Sequence, residues 1–198
     1  VGLAAVGADA AHQALRQHGL EGRCNEIGVE THVEQPRHRD GVAALIHHEF
    51  WTAVPDSSVE KMAARLGEAS TADALPLCLI ALHGDEVVGA INLVDNDDDD
   101  HTDWHPWLAG MVVAAPHRGD GIGSQLVRAL LFEAKRLNFE RVYFGTDGPR
   151  FYEQLGAVGR DVDEEGRRER DRDRPRGPAR HGHLGEHALA LLDRQPHR

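Results

Sequence analysis

A short apolar, β-branched run, Trp107 to Ala114 (WLAGMVVA), leads into Pro116-His117-Arg118-Gly119-Asp120-Gly121-Ile122-Gly123-Ser124. Behind this turn Ile122, Leu126, Val127, Leu130, Leu131, Ala134 and Leu137 recur at helical spacing. The order is therefore buried strand, glycine turn, amphipathic helix. That order has a chemical consequence. The first amides of a helix lack intrahelical partners and point outward, and the helix dipole adds partial positive charge there. Glycines let the backbone turn tightly and approach a ligand. Arg118 supplies a permanent cation. Together these features make a site for a phosphate or pyrophosphate. A plain tight turn requires neither the alternating Gly119, Gly121 and Gly123 nor the arginine.

Two common phosphate motifs do not fit. A P-loop needs a lysine after its second glycine, and none follows here. The GxGxxG fingerprint of dinucleotide sites asks for glycine at 124 or 126, where the chain has Ser124 and Leu126. What remains is Arg-x-x-Gly-x-Gly.

Composition narrows the partners. A chain of 198 residues is long enough for one domain with a real core and some extra length. Aromatic residues are only 5%, so aliphatic side chains must build that core. The net charge of -11 disfavours nucleic acid as a partner and makes a focused anion site more informative. It serves solubility and also suits a cationic small molecule. No apolar stretch approaches the roughly 20 residues of a membrane span, so no membrane partner is expected. The beginning, VGLAAVGADAAHQAL, lacks the basic region of a signal peptide. The two cysteines, Cys24 and Cys78, are far apart and form no CxxC, which fits a reducing cytoplasm. Cys78, inside PLCLIAL, reads as a small buried hydrophobe. The 14 histidines are scattered: His47-His48 and His181-Gly182-His183 complete no ligand set, so no metal is expected. Abundant Ala, Gly and Arg, with Lys61 and Lys135 the only lysines, fit a GC-rich genome, which says nothing about activity.

Along the chain, residues 1–24 read as an Ala-rich arm or extra helix. Glu26 to His32 alternates like a strand. Arg39 to Val54 has helical spacing, with Val42, Leu45, Ile46, Phe50 and Trp51 on one face. Pro55-Asp56-Ser57 breaks it. Ser57 or Ser58 then caps a second helix presenting Met62, Ala63, Leu66 and Ala69, with Glu60 close enough for a capping box. Leu75–Leu82 and Glu86–Val94, joined by His83-Gly84-Asp85, read as a hairpin. Asn96 to Asp103 is an acidic loop without the glycine and terminal glutamate of a calcium loop. Arg141 to Gly145 is a strand, and Phe151 to Leu155 a short helix ended by Gly156. Residues 160–185 are charged and nearly free of apolar side chains, which predicts disorder or a long solvated loop. Residues 186–198 hold one more candidate strand at Ala188–Leu192, then a tail. A hairpin-built part combined with a βαβ crossover gives an α/β (α+β) domain with a mixed central sheet and flanking helices.

Arg118-Gly119-Asp120-Gly121-Ile122-Gly123 resembles the R/Q-x-x-G-x-G/A motif of the GNAT N-acetyltransferases. Phe151-Tyr152-Glu153-Gln154-Leu155-Gly156-Ala157 resembles the family's F-Y-x-x-L-G-F segment, and LIALHGDEVVGAINLV is similar to its second and third strands. The resemblance spans residues 26 to 159 and implies the GNAT acyl-CoA N-acyltransferase fold, with a domain over 25–159. It implies acetyl-CoA as cosubstrate and direct attack by an amine. By the resemblance, the pyrophosphate lies on the amides of Arg118 to Ser124, and Met111, Val112 and Val113 bind pantetheine and the acetyl carbonyl through their backbone. Tyr152 matches the tyrosine that protonates the leaving thiolate.

No motif fixes the base. Asp103 and His105 precede the fourth strand and Glu49 and His48 lie on the first helix; Asp103 and Glu49 are the candidates. The acceptor is a small, cationic amine or a protein amine, and a homodimer is compatible with the family. The acidic loop lies near the acceptor side in that layout, so attraction of a polyamine or aminoglycoside is expected. Two further readings stand beside this one: a non-catalytic acyl-CoA-binding or regulatory module, and an unrelated phosphate-ligand domain. The chain departs from the family after the fourth helix. A closing pair of strands is usual there, and residues 160–185 show little strand pattern, as an insertion, a disordered tail or an altered reading frame would.

Overall fold

The computed structural model describes residues 27–69, 71–99, 101–160 and 188–192. In chain order the elements are β1 (Ile27–Thr31), α1 (Arg39–Phe50), α2 (Val59–Leu66), β2 (Leu77–His83), β3 (Glu86–Val94) and β4 (Trp107–Val113). Then follow α3 (Ile122–Arg136), β5 (Arg141–Gly145), α4 (Pro149–Glu153), β6 (Ala157–Arg160) and β7 (Ala188–Leu192). The strands form one sheet in the order β1-β2-β3-β4-β5-β7-β6. All neighbours are antiparallel except β4 and β5, which run parallel.

The apolar run of β2 is continuous because both faces of the sheet are covered. Leu77, Leu79 and Ala81 point to the side of α3, where Leu126, Val127 and Leu130 pack on Ile91, Leu93 and Phe144. Cys78, Ile80 and Leu82 point to the other side, against Val42, Ala43 and Ile46 of α1 and Met62 and Leu66 of α2. Each Leu, Ile, Val, Phe or Met among them contributes roughly 1.5–3 kcal/mol on burial, so the two aliphatic layers hold the sheet that carries the turn. Cys78 is 1% exposed, and burial pushes its thiol up to about 12. It is a packing residue with no thiolate chemistry at neutral pH.

Several expectations need correction. Helix α1 stops at Phe50 rather than reaching Val54, and Phe50, assigned by spacing to the inner face, is exposed. Ser58 is the cap of α2, its Oγ accepting from the Lys61 amide at 3.2 Å. Glu60 is then the second helical residue rather than the third, so no capping box forms with it. Strand β6 has no signal in Ala157-Val158-Gly159-Arg160, which is short and does not alternate. It forms because β7 supplies a partner along its length, from Ala157↔Leu191 to Arg160↔Ala188. The closing strand pair is therefore present, and the charged segment begins only after Arg160. The expected arm at 1–24, the charged stretch at 161–185 and the tail beyond Leu192 lie outside the described residues, as do Cys24, Asp100 and His181 to His183.

Candidate active site

Strands β4 and β5 touch at Trp107↔Tyr143, and among the described residues this is their one register pair. Beyond it, Leu108 to Val113 have no β5 partner along that edge, and a wedge opens between the two strands. On its other edge β4 pairs with β3, with an irregularity between Ala90 and Asn92. Gly110 takes φ 57° opposite this point, which matches a β-bulge, and the following residue, Met111, packs on the α3 side of the sheet.

The turn stands at the open end of the wedge. Gly119 and Gly121 adopt φ 90° and 81°, a left-handed backbone that other residues reach only at a cost. Gly121 caps α3 without a side-chain hydrogen bond. The amides of Ile122, Gly123 and Ser124 therefore form an open helix start. Ile122 is 2% exposed and anchors this start in the core. A Cβ on Gly121 would meet nothing within 4 Å, so ligand approach is unobstructed there. Gly123 differs: a Cβ would lie 3.3 Å from Phe151 Cζ, so this glycine serves the packing of α3 against α4. Asp120 is exposed between the two left-handed glycines.

Arg118 is held from two sides. Its Nε donates to the Val113 carbonyl and its Nη2 to Glu49 Oε2, both at 2.8 Å. The guanidinium is thus fixed over the end of β4, with a carboxylate from the last turn of α1 as counter-ion. Glu49 sits here as the partner of the site's arginine. Both side chains are more than a third exposed, so the pair is worth about 0–1 kcal/mol.

Tyr152 closes the inner end of the wedge. Its hydroxyl donates to Met111 Sδ at 3.8 Å, and its ring packs on Phe144 and Phe151 at centroid distances of 4.2 and 4.9 Å. Burial raises its phenol to about 12, so it keeps its proton throughout the neutral range. Met111, Tyr152 and the start of α3 are thereby brought together, whereas Val112 faces the α1–α2 side and is buried there.

Asp103 lies elsewhere. It is exposed on the turn before β4, and the strand from Trp107 to Met111 alone spans roughly 13 Å. The acidic loop around it is ordered by Asn96, whose Nδ2 donates to the carbonyls of His101 and Trp104 at 2.9 and 3.2 Å. His101 pairs with Asp98 at 2.7 Å and stacks on Trp104. Asp97 is exposed overall, yet local desolvation and the adjacent Asp98 raise its pKa. Sequence reasoning missed the Arg118–Glu49 pair and the Met111–Tyr152 contact, because each joins elements far apart in the chain. Among the described residues no group of three or more His, Cys, Asp or Glu side chains is placed to hold a metal ion, and no helix is long and apolar enough to cross a membrane.

The chain thus combines a mixed sheet that splays at its one parallel pair with a glycine-capped helix at the opening. Residues 43–157 match the Acetyltransferase (GNAT) family, and the chain belongs to that family. No curated protein sequence matches it. Among solved structures it is similar to an acetyltransferase from Streptococcus agalactiae 2603, at 20% identity and TM-score 0.56 over 85% of this chain and 99% of that one. An aminoglycoside 6'-N-acetyltransferase complexed with coenzyme A gives 17% identity and TM-score 0.57, over 85% and 99%. An N-acetylglutamate synthase from Neisseria gonorrhoeae, complexed with coenzyme A and N-acetyl-glutamate, gives 14% and 0.53, over 85% of this chain and 35% of that one. At these identities the likeness is one of fold.

Proposed function

We propose that the protein is an acetyl-CoA-dependent N-acetyltransferase acting on a primary amine of a small, cationic molecule or of a protein. The observation that carries this reading is the convergence of three parts on one wedge: the open start of α3, the unpaired edge of β4 and the Tyr152 hydroxyl. Solved relatives of the same fold are complexed with coenzyme A. The diphosphate of acetyl-CoA binds the amides from Gly119 to Ser124, with Arg118 as cation. Pantetheine extends along β4 and replaces the missing β5 partner. A β4 amide at Met111 to Val113 polarises the thioester carbonyl as negative charge develops on it.

The amine nitrogen attacks the thioester carbon, the C–S bond breaks, and the sulfur leaves carrying the bond's electron pair. Tyr152 donates a hydrogen bond to that sulfur. A phenol near 12 is a weaker acid than a thiol near 8.5, so Tyr152 stabilises the thiolate more than it titrates it, and solvent supplies the final proton. The amine's surplus proton passes to water. Glu49 is engaged with Arg118 and does not serve as base.

Thermal shift with acetyl-CoA, CoA and ATP tests the first part, because a ligand of the native state raises stability. Both CoA species are expected to raise the Tm, and ATP much less. No shift with either CoA species would overturn the reading. A thiol-release screen across amines, polyamines and aminoglycosides then tests catalysis. With a turned-over amine, Tyr152→Phe should lower kcat by about 10²-fold with KM for acetyl-CoA nearly unchanged. An unchanged kcat would remove Tyr152 from the reaction, and no thiol release with any amine would leave an acyl-CoA-binding module as the better description.

A further inference from the structure

Met111 is the one flexible side chain among the groups that close the wedge. Its neighbours there are rigid: Phe144 is fully buried, Tyr152 is 8% exposed, and the Phe144, Phe151 and Tyr152 rings pack edge and face on one another. Met111 reaches across from β4. Its Sδ lies 3.8 Å from the Tyr152 hydroxyl, and its Cε lies 3.8 Å from the position a Cβ would take on Gly123. The thioether thus fills the space between the hydroxyl and the start of α3. If Tyr152 hydrogen-bonds the leaving sulfur, that is also where a thioester must place its sulfur and the first carbons of its acyl group. The hydroxyl donates to the Met111 sulfur, and this bond gives way when a thioester sulfur takes the same single donor.

We propose that Met111 sets the acyl-chain length this site accepts, admitting an acetyl group and excluding propionyl and longer chains. This inference rests on the acyl-CoA reading above. A methyl group needs only a small displacement of the thioether, which methionine's unbranched side chain allows. Each further methylene must occupy volume that Met111 holds, and the aromatic wall behind it cannot withdraw without losing core packing.

Dissociation constants for CoA, acetyl-CoA, propionyl-CoA and butyryl-CoA, measured by titration calorimetry on the full chain, test this without knowledge of the acceptor. The wild-type protein should bind acetyl-CoA at least about tenfold tighter than butyryl-CoA. Met111→Ala removes Cγ, Sδ and Cε and should reduce that preference, read as the ratio of the two dissociation constants within the variant, by about tenfold or more. Met111→Leu, which conserves volume, should keep the wild-type preference. If Met111→Ala no longer binds CoA, the ratio for Met111→Val decides instead, and it should fall between those of the Leu variant and no preference. Wild-type binding of acetyl-CoA with a preference that neither Ala nor Val alters would overturn the role of Met111. Absence of binding to every CoA species by the wild-type protein would instead overturn the acyl-CoA reading beneath it.

Discussion

The stretch from β4 to α4 and the stretch from β1 to α2 flank the same sheet but differ in how their polar groups are made. In the first, binding groups are chiefly main-chain amides aimed by glycines, with Arg118 and Tyr152 the polar side chains beside them. In the second, chemistry rests on side chains drawn from separate elements. His32, 1% exposed, has no hydrogen-bond partner for either ring nitrogen among the described residues. Glu49 leaves its own half to pair with Arg118. The contrast teaches that a site built from backbone can be written into a few consecutive residues. A site built from side chains needs the fold before it exists.

The contrast can be broken most severely at Gly121. Gly121→Asp puts a carboxylate where the diphosphate is expected, and like charges so placed cost several kcal/mol. Calorimetry should show acetyl-CoA affinity reduced by more than about 100-fold. The left-handed φ costs folding only about 1–2 kcal/mol, so urea denaturation should still show a cooperative fold. Gly123→Asp is the poorer test, because its Cβ meets Phe151 and a loss of binding would mix with a loss of packing.

His32 gives the next effect, confined to stability. Burial, with a smaller contribution from Arg39, lowers its pKa below the usual 6.5. The unfolded chain therefore takes up a proton near pH 6.5 while the folded chain does not. Stability falls as pH drops through 6.5 and stops falling at the lower folded pKa. His32→Leu removes both that slope and the two unsatisfied nitrogens, whose burial costs about 1–3 kcal/mol. Urea midpoints at pH 7.5 and pH 5 should show the variant gaining on the wild type at the acid value. Equal losses in both proteins would reject this account.

The smallest effect should come from Glu49→Gln, which tests the bridge between the two stretches. Removing a carboxylate beside the diphosphate should tighten acetyl-CoA up to about fivefold, the scale of an exposed ion pair. The gain should shrink in about 1 M salt, where screening is nearly complete at contact range. Weaker binding would mean that Glu49 acts by holding Arg118 in place.

The elements that the sequence made legible are those whose cause is local. The glycine turn, α3, the β2–β3 hairpin and β5 each carry their period or turn residues within a few positions. Strand β6 does not, because four residues of mixed character become a strand only when β7 lies beside them. The same reason hides the site's side-chain geometry. Arg118 and Glu49 are 69 residues apart and Met111 and Tyr152 are 41 apart, so no local spacing announces either contact. Phe50 shows the converse limit: helical spacing placed it inward, but α1 ends there and the residue turns to solvent.

The pairing of Arg160 with Ala188 carries a last consequence. The chain leaves the sheet and returns to it at the two ends of a single rung of one antiparallel ladder. Whatever connects these two points begins and ends in nearly the same place, and closing such a loop grows only logarithmically harder with its length, by about 0.6 kcal/mol per doubling. The register of β6 on β7 is set by the ladder itself, from Ala157↔Leu191 to Arg160↔Ala188.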